Sequence, residues 1–262
     1  MIDTHQHLYD TAFDDDRDDV VARAQSVGVT KCLLPGIDQS TFEAQQACAL
    51  RYPDFCRIAV GLHPTSVNES FQAELDFART SLETCLAASA SVLHPVAIGE
   101  IGLDTYWSDT FLPQQIAVFD EQVQWAARYG LPIIIHVRSC LPTLLDSLKR
   151  NRALGLRGVL HAWSGSVDVY REANKYGSFK IGIGGVLTYK NARVAESVKE
   201  IPLSDILLET DAPWLTPVPF RGKRNECAYV AYVMRQLAAI KGIEEDEVCA
   251  QTTQNALSLF AL

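Results

Sequence analysis

The segment Pro132-Ile133-Ile134-Ile135-His136-Val137-Arg138 shows most directly how this chain folds. It begins with a continuous apolar run, which is typical of a parallel strand that helices cover on both faces. A polar residue of a metal-ligating type, His136, follows that run directly. The segment therefore predicts an α/β fold in which the carboxyl ends of buried strands carry the chemistry.

Similar apolar runs occur along the whole chain, separated by amphipathic segments. The eight predicted strands cover residues 1–7, 29–35, 58–64, 96–104, 132–138, 158–163, 180–185 and 206–213. The intervening helices include one that Pro113 opens and Gly130 closes, and one that begins with a capping box at Ser40-Thr41-Phe42-Glu43. Eight such units predict a single domain, residues 1–262, folded as a (β/α)8 TIM barrel. An open doubly wound sheet is the alternative.

Composition and charge restrict the class of protein. The chain is 48% hydrophobic and 21% charged, and no apolar run reaches the length of a membrane span. Its seven cysteines are dispersed without a CxxC pair, and the N-terminus lacks a signal-peptide pattern, so we expect reduced thiols and a cytoplasmic location. The net charge of -9 argues against a broad basic face for nucleic acid but allows a nuclease whose metal ions supply positive charge locally.

Side chains of metal-ligating types lie at the carboxyl ends of the predicted strands. They are His5 and His7 on the first strand, His63 on the third, Glu100 on the fourth, His136 on the fifth, His161 on the sixth and Asp211 on the eighth. In a barrel of parallel strands these ends meet at one rim, where active sites of this fold lie. The sixth histidine, His94, precedes Pro95 in a predicted connection.

Each of these residues alone has an ordinary structural explanation. A histidine after an apolar run is more often a hydrogen-bonded core residue than a ligand, and Asp211 before Ala212-Pro213 could cap a turn. These ordinary explanations do not suit the set as a whole, because burying two carboxylates and four imidazoles at one rim is costly without a compensating cation. A set of histidines and carboxylates without cysteine suits an open catalytic site.

We therefore predict two divalent metal ions, Mg, Mn or Zn, roughly 3.5–4 Å apart. The predicted ligands are His5, His7, Glu100, His136, His161 and Asp211. Glu100 is expected to bridge the two ions, and Asp211 is expected to take the proton of the attacking water. Glu209, two residues before Asp211, is expected to support the ligands from the next layer.

Cationic and aromatic residues near these strand ends predict contacts with a substrate. His63, Arg138, Arg221 and Arg224 could bind an anionic oxygen, which hints at a phosphate-bearing substrate. A salt bridge within the rim is the alternative for Arg138, and a solvated loop is the alternative for residues 221–225. Three tryptophans follow strand ends and could stack a base, although such residues more often pack the rim; they are Trp107, Trp163 and Trp214.

Six motifs, in order, resemble the TatD family of metal-dependent hydrolases. They are Asp3-Thr4-His5-Gln6-His7, Gly61-Leu62-His63-Pro64, Gly99-Glu100-Ile101-Gly102-Leu103-Asp104, His136-Val137-Arg138, His161-Ala162-Trp163-Ser164-Gly165 and Glu209-Thr210-Asp211-Ala212-Pro213. The resemblance covers nearly the whole chain and implies an amidohydrolase-like barrel. It implies the same six ligands, with Asp211 as catalytic carboxylate and His63 facing the substrate.

The chain departs from the family pattern at Thr105-Tyr106-Trp107, at Ala162-Trp163, at Cys227 and in a longer connection over residues 87–95. None of these departures removes a ligand. We expect them to fall on the rim of the barrel and therefore to affect substrate preference.

We therefore predict a metal-dependent deoxyribonuclease that shortens single strands of DNA from an end, with Asp211 and Glu100 as catalytic residues. DNA is the predicted substrate, and we predict neither a membrane nor an obligate protein partner. The first alternative is that the same metal site hydrolyses a carboxylic ester or amide of a small molecule. The second alternative is a metal-binding protein without catalytic activity.

Overall fold

The computed structural model describes all 262 residues, and its eight strands form one sheet in chain order. The strands are β1 (Ile2–Asp3), β2 (Lys31–Leu34), β3 (Cys56–Val60), β4 (Ala97–Asp104), β5 (Ile133–Arg138), β6 (Arg157–Leu160), β7 (Ser178–Ile183) and β8 (Ile206–Leu208). Every neighbouring pair from β1–β2 to β7–β8 is parallel. The predicted (β/α)8 TIM barrel is confirmed, because a doubly wound sheet would not keep its strands in chain order.

A helix follows each strand, and a ninth helix ends the chain. The helices are α1 (Arg17–Ser26), α2 (Gln39–Arg51), α3 (Phe71–Leu86), α4 (Leu112–Tyr129), α5 (Leu141–Arg150), α6 (Val167–Ala173), α7 (Val194–Glu200), α8 (Val230–Lys241) and α9 (Glu245–Phe260). As predicted, Pro113 lies in the first turn of α4, and Gly130 ends this helix with a φ of 65°. None of the nine combines the length and the hydropathy needed to span a bilayer.

Strand residues alternate between the barrel interior and the layer of helices. Seven strands each contribute one residue to an interior cluster that the end of α9 completes; it consists of Ile2, Leu33, Ala59, Ala97, Ile134, Val159, Leu207, Ala256, Leu259 and Phe260. The neighbours of Ile134, Ile133 and Ile135, belong to the larger cluster between strands and helices. Helix α9 therefore fills the amino end of the barrel. Because His136 shares a face with Ile134, it points inward at the other end.

The barrel closes between β1 and β8 without a regular ladder. Three backbone hydrogen bonds join the segments that follow these strands: Thr4 N to the Leu208 carbonyl (3.0 Å), Asp211 N to the His5 carbonyl (2.9 Å) and His7 N to the Ala212 carbonyl (2.8 Å). The buried carboxylate of Asp3 adds two bonds, accepting from the backbone N of Thr210 at 3.0 Å and from its hydroxyl at 2.6 Å. We call residues 3–7 and 208–212 the closing seam.

The predicted strands at the seam are too long. β1 ends at Asp3 instead of His7, and β8 ends at Leu208 instead of Pro213. His5 and His7 therefore lie beyond the end of β1 and not on it, although both imidazoles face Asp211. For the segment after β8 the physical reason is local, since Asp211 has a φ of 57°, in the left-handed region where a regular strand cannot continue.

The predicted capping box of α2 is wrong by two residues. Asp38, not Ser40, caps the helix and accepts from the backbone N of Ser40 at 3.0 Å, and Thr41 completes the box. A carboxylate placed before Ser40 takes the free amides of the first turn, so the serine hydroxyl is not needed for this purpose.

The long connection over residues 87–95 joins α3 to β4 and holds one short 3-10 turn, Ser91–Leu93. A connection from a helix to the next strand lies at the amino end of the barrel, opposite the strand ends that carry the histidines. The expectation that this connection falls on the rim is therefore wrong. His94 lies in the connection, as predicted.

The closing seam generates a prediction for stability. Thr210→Val removes the hydroxyl that donates to Asp3 and leaves a buried carboxylate oxygen with one donor fewer, which should lower the free energy of unfolding by about 2 kcal/mol. Urea denaturation measures this change. Thr84→Val is the matched control, because Thr84 bonds only to a carbonyl of its own helix on the exposed face of α3. Equal losses in the two variants would contradict the importance of the seam.

Candidate metal centre

Glu100 lies at the centre of the rim, in the middle of β4, and its side chain is almost fully buried. One carboxylate oxygen lies 3.0 Å from His5 Nε2. The other lies 2.8 Å from His136 Nδ1, 3.4 Å from His63 Nε2 and 3.6 Å from His161 Nε2. A single carboxylate therefore contacts imidazoles from four different strand ends.

Asp211 faces the same imidazoles from the end of β8. Its Oδ1 lies 3.6 Å from His7 Nε2, 3.7 Å from His5 Nε2 and 3.9 Å from His161 Nε2. The rings of His5 and His161 are stacked with their centroids 3.5 Å apart. The structure thus brings together all six residues that the sequence analysis named as ligands.

The carboxylates set a negative potential in this cluster. Burial disfavours the charged form of Glu100, yet the surrounding imidazoles hold its pKa well below the ordinary value. Burial also opposes a charge on His136, but the carboxylates of Asp104 and Glu100 raise its pKa to about 9. Against burial, Glu209 and Glu100 raise the pKa of His161 to about 10. Such a potential attracts a divalent cation.

The donor atoms fit a metal centre. Nδ1 of His5 is buried without a hydrogen-bond partner, and its buried Nε2 faces Glu100 and Asp211. Three groups of side chains have donor atoms that all lie within 4.8 Å of one another: His5 with His7 and Glu100, His5 with His161 and Glu209, and His63 with Glu100 and His136. Imidazole nitrogens and carboxylate oxygens in buried groups of three suit divalent ions such as Zn, Mn or Mg.

Tyr9 fixes which nitrogen of His7 faces the centre. The hydroxyl of Tyr9 donates to the carbonyl of Pro35 at 2.7 Å and lies 2.8 Å from His7 Nδ1. Since this hydroxyl proton is already used, it accepts from Nδ1–H, which leaves Nε2 of His7 bare and facing Asp211. The sequence analysis missed Tyr9, although its position two residues after His7 was the available signal.

Two carboxylates orient the imidazoles of the fifth and sixth strand ends in a similar way. Glu209 Oε1 lies 3.0 Å from Nδ1 of His161 and accepts from the backbone N of Ala162 at 2.7 Å. Asp104 Oδ2 lies 2.8 Å from Nε2 of His136. Each ring therefore turns its other nitrogen towards Glu100. Asp104 was quoted only as part of a motif, and its role depends on a contact between two strands.

In His63, by contrast, the nitrogen that faces away from the centre is the acceptor and the other nitrogen carries the proton. Its Nδ1 accepts a hydrogen bond from the backbone N of Thr65 at 3.1 Å, so in the neutral ring the proton is on Nε2. That Nε2–H points towards Glu100, 3.4 Å away. A ring that presents a proton to the centre is a hydrogen-bond donor, which agrees with its expected position facing a substrate.

Arg138 and Arg221 both lie exposed on the rim with their guanidinium groups stacked on tyrosines. The guanidinium of Arg138 lies 3.5 Å from the ring centroid of Tyr106, and that of Arg221 lies 4.4 Å from that of Tyr189. Neither guanidinium forms an ion pair or a hydrogen bond within the chain, so the alternative of a salt bridge for Arg138 is not observed. Both groups are free to bind an anion.

Arg224 is placed differently. Its two terminal nitrogens each lie 2.7 Å from a carboxylate oxygen of Asp16, and one also donates to the carbonyl of Ala12 at 2.6 Å. Its guanidinium also stacks over Phe13, 4.7 Å from the ring centroid. These contacts use three of the five N–H donors of Arg224, so its guanidinium is less available to a substrate than those of Arg138 and Arg221, and substrate binding by Arg224 stays a prediction. The residue attaches its loop to the start of α1.

The three tryptophans that follow strand ends differ in exposure. Trp163 is buried and packs against Gly165, so it belongs to the rim packing. Trp107 is 80% exposed and Trp214 is 51% exposed. The ring of Trp214 lies 4.9 Å from that of His7, in an edge-to-face arrangement. Only these two remain available to stack a base.

Comparisons with known proteins agree with this geometry. A sequence profile of the family described as TatD related DNase matches residues 2–261. The uncharacterized metal-dependent hydrolase YabD of Bacillus subtilis (strain 168) is 38% identical over 263 residues, which cover 100% of this chain and 99% of that protein. The 3'-5' ssDNA/RNA exonuclease TatD of Erwinia amylovora is 33% identical over 270 residues, which cover 100% of both proteins.

A solved structure is similar over the same length. The crystal structure of YjjV, a TatD homologue from Escherichia coli K12, matches with a TM-score of 0.90 and 32% sequence identity, covering 100% of this chain and 98% of that one. Similarity in sequence and in fold therefore extends over the whole barrel and includes every strand end that carries a predicted ligand.

The contact between Tyr9 and His7 generates a prediction for metal affinity. Tyr9→Phe removes the acceptor of His7 Nδ1–H and should raise the dissociation constant for Mn or Zn about tenfold, because the ring loses its fixed orientation. Competition with a chromogenic chelator on metal-stripped protein measures the constant. Tyr170→Phe is the control, since its hydroxyl donates to Asp205 outside the cluster. The same constant in both variants would refute the orienting role.

The contact between Arg224 and Asp16 generates a prediction for pH. The hydrogen bond from Arg224 lowers the pKa of Asp16 to about 2, so this carboxylate stabilises the fold above its unfolded pKa of about 3.9. That stability should be lost as the pH falls towards 2. At pH 7, Asp16→Asn should lower the free energy of unfolding by about 1 kcal/mol, because the group is partly exposed and screened.

Urea denaturation of this variant and the wild type at several pH values from 7 to 2 tests the prediction. The two curves should converge at the acid end. Asp168→Asn is the control, as this carboxylate is 87% exposed and lies 3.4 Å from Arg171. A constant difference between Asp16→Asn and the wild type down to pH 2 would show that charge is not the cause.

Proposed function

Since the chain belongs to the TatD-related DNase family of metal-dependent hydrolases, we propose that it is a deoxyribonuclease that shortens single-stranded DNA from an end. The position of Glu100 carries the proposal, with one oxygen 3.0 Å from His5 and the other 2.8 Å from His136. Because its two oxygens contact imidazoles from different strand ends, Glu100 suits the role of a ligand to two metal ions. Two-metal sites of this kind are typical of enzymes that cleave phosphodiester bonds.

Two divalent ions, Mg, Mn or Zn, would account for the whole set of donors. They would be held by His5, His7, Glu100, His136, His161 and Asp211. When bound, the ions would lower the pKa of a water molecule and neutralise charge on the phosphate. Six nitrogen and oxygen donors exceed what a single catalytic ion needs, which supports the number two.

Asp211 is the proposed proton acceptor. Burial disfavours its charge, but the neighbouring imidazoles of His7, His161 and His5 lower its pKa below the ordinary value, so it is a carboxylate at neutral pH. It lines a cavity of about 280 Å³ at the rim together with His63 and Trp214. A carboxylate at this position can take the proton of a water molecule that attacks a phosphate bound in the cavity.

The cationic groups of the rim would position the DNA. His63 presents Nε2–H to the cavity and would donate to a phosphate oxygen. Arg138 and Arg221, which have no partner of their own, would bind phosphates on either side of the cleaved bond. Arg224 would act indirectly, by holding the loop that carries Arg221 against Asp16.

We also propose that residues 1–262 act as one catalytic domain in the cytoplasm, with no obligate protein partner. One sheet includes all eight strands, and the family profile matches residues 2–261. All seven cysteines are free, and six of them are buried, which is usual for proteins of a reducing compartment.

The variant Asp211→Asn tests the proposed reaction. It keeps an oxygen ligand but cannot take a proton, so turnover of a labelled single-stranded oligomer should fall about a thousandfold while metal affinity stays within about tenfold. The assay uses metal-stripped protein refilled with Mg, Mn or Zn, and products are separated by length. Asp205→Asn, at a carboxylate that contacts Tyr170 and Lys180 away from the centre, is the control.

Two results would overturn the proposal. Near-normal turnover by Asp211→Asn would show that this residue does not accept the proton. A wild type that cleaves no oligomer with any of the three metals, but hydrolyses a carboxylic ester or amide, would show that the same centre acts on a small molecule instead.

A further inference from the structure

Exposed aromatic rings occur only at the rim of this barrel. Among four tryptophans, nine tyrosines and ten phenylalanines, only Tyr106, Trp107 and Trp214 have exposed side chains. Tyr106 and Trp107 follow β4, and Trp214 follows β8. The exposure of a large ring costs free energy, so rings that are exposed at one end of a fold indicate a surface that binds something.

Tyr106, Trp107 and Arg138 form one cluster, which we call the distal platform. The rings of Tyr106 and Trp107 meet edge to face with their centroids 4.8 Å apart. The guanidinium of Arg138 lies 3.5 Å from the centroid of Tyr106 on the ring face. This stacking holds the guanidinium in place while all its N–H donors remain free, because no carboxylate of the chain pairs with it. The platform thus combines an exposed indole with a fixed cation.

One carboxylate connects the distal platform to the metal centre. Asp104 accepts from the backbone N of Tyr106 at 2.8 Å through Oδ1, and its Oδ2 lies 2.8 Å from His136. Arg138 follows His136 by two residues, which is about 7 Å along a strand. The platform therefore begins one side chain away from a predicted ligand, yet it lies outside the cavity that contains Asp211.

The platform and Trp214 lie on opposite sides of the centre. The sheet runs in chain order, so β4 and β8 are four strands apart and face each other across an eight-stranded barrel. Trp214 contacts His7 within the centre, whereas Trp107 has no contact with a predicted ligand. A chain that crosses the centre from Trp214 would reach the platform on the far side.

The surface beside Trp107 is an open groove of about 540 Å³. Thr105, Ser108, Ser139 and Thr143 line much of it, and Asp109 adds one carboxylate, so the phosphate is expected on the side of Arg138. An indole next to hydroxyls and a free guanidinium suits a nucleotide, which offers a flat base and an anionic phosphate. An apolar peptide or a lipid would leave these hydroxyls and the cation without partners.

We propose that the distal platform binds a nucleotide of single-stranded DNA on the far side of the cleaved bond, with its base stacked on Trp107 and its phosphate bound to Arg138. This inference rests on the proposed nuclease function. It makes the enzyme sensitive to substrate length, because a dinucleotide held at the centre does not reach the platform, whereas a longer strand does.

Substrate length is the variable of the test. We would measure kcat/KM of the metal-loaded full chain for a twelve-nucleotide oligothymidylate and for the dinucleotide TpT. Trp107→Ala should lower the value for the long strand about tenfold, the size of one lost base stack, and the loss on TpT should be several times smaller. Trp107→Phe should restore most of the activity on the long strand. Trp214→Ala should lower both values alike.

A binding measurement separates this inference from the nuclease proposal. In the Asp211→Asn background, fluorescence anisotropy of a labelled twelve-nucleotide strand should show a dissociation constant about tenfold higher when Trp107 is replaced by alanine. Arg128→Gln is the matched control, because Arg128 also stacks on a tyrosine, Tyr129, 5.3 Å from its ring centroid, but at the opposite end of α4. This control should bind as the Asp211→Asn parent does and, in the wild-type background, should cleave as the wild type does.

The possible outcomes are distinct. If the wild type cleaves the long strand and Trp107→Ala cleaves and binds it equally well, the platform is overturned while the nuclease stands, and the exposed indole serves another partner, such as a protein. An equal loss on the long strand and on TpT also overturns it, because the effect is then on the centre itself. If the wild type cleaves no DNA, the nuclease proposal fails, and the binding measurement still decides the platform.

Discussion

The closing seam between β1 and β8 is the constraint on which the rest of this structure depends. β1 has two residues and β8 has three, too few for a ladder between them, so backbone bonds beyond the strands and the buried pair of Asp3 and Thr210 close the barrel. The same short segments carry His5, His7 and Asp211. The segments that close the barrel therefore also position the metal centre. A change that loosened the seam would move Asp211 away from His5 and His7, whose nitrogens now lie within 4 Å of its carboxylate.

Within this frame, the centre is organised by which nitrogen each imidazole presents. Tyr9, Glu209 and Asp104 each engage one nitrogen of a histidine, and the other nitrogen then faces Glu100 or Asp211. His63 is reversed, because the backbone N of Thr65 occupies its Nδ1. Of the five histidines at the centre, His7, His136 and His161 thus present a nitrogen that suits metal binding, whereas His63 presents a proton that suits hydrogen bonding to an anion. This division follows from the partners behind the rings.

The acidic character of the chain and its proposed anionic substrate are compatible because charge is local. The net charge is -9, yet Arg138 and Arg221 stand on the rim without acidic partners, each held by a tyrosine ring. Arg224, close to Arg221 in sequence, is instead neutralised by Asp16 and supports its loop. Stacking on an aromatic ring keeps a guanidinium in position without consuming its donors, which an ion pair would do.

The sequence by itself determined the barrel, the end of it at which the ligand types gather, and which six side chains meet there as proposed ligands, because apolar runs and polar strand ends are local patterns that a parallel sheet brings together. Tertiary structure decided what depends on contacts between distant segments: the early ends of β1 and β8, the partners Tyr9 and Asp104, the burial of Trp163 and the exposure of Trp107. It also separated Arg221 from Arg224, which look alike in one basic loop. The type of a residue fixes its charge, but only its neighbours in the folded chain decide whether an ion pair already neutralises that charge.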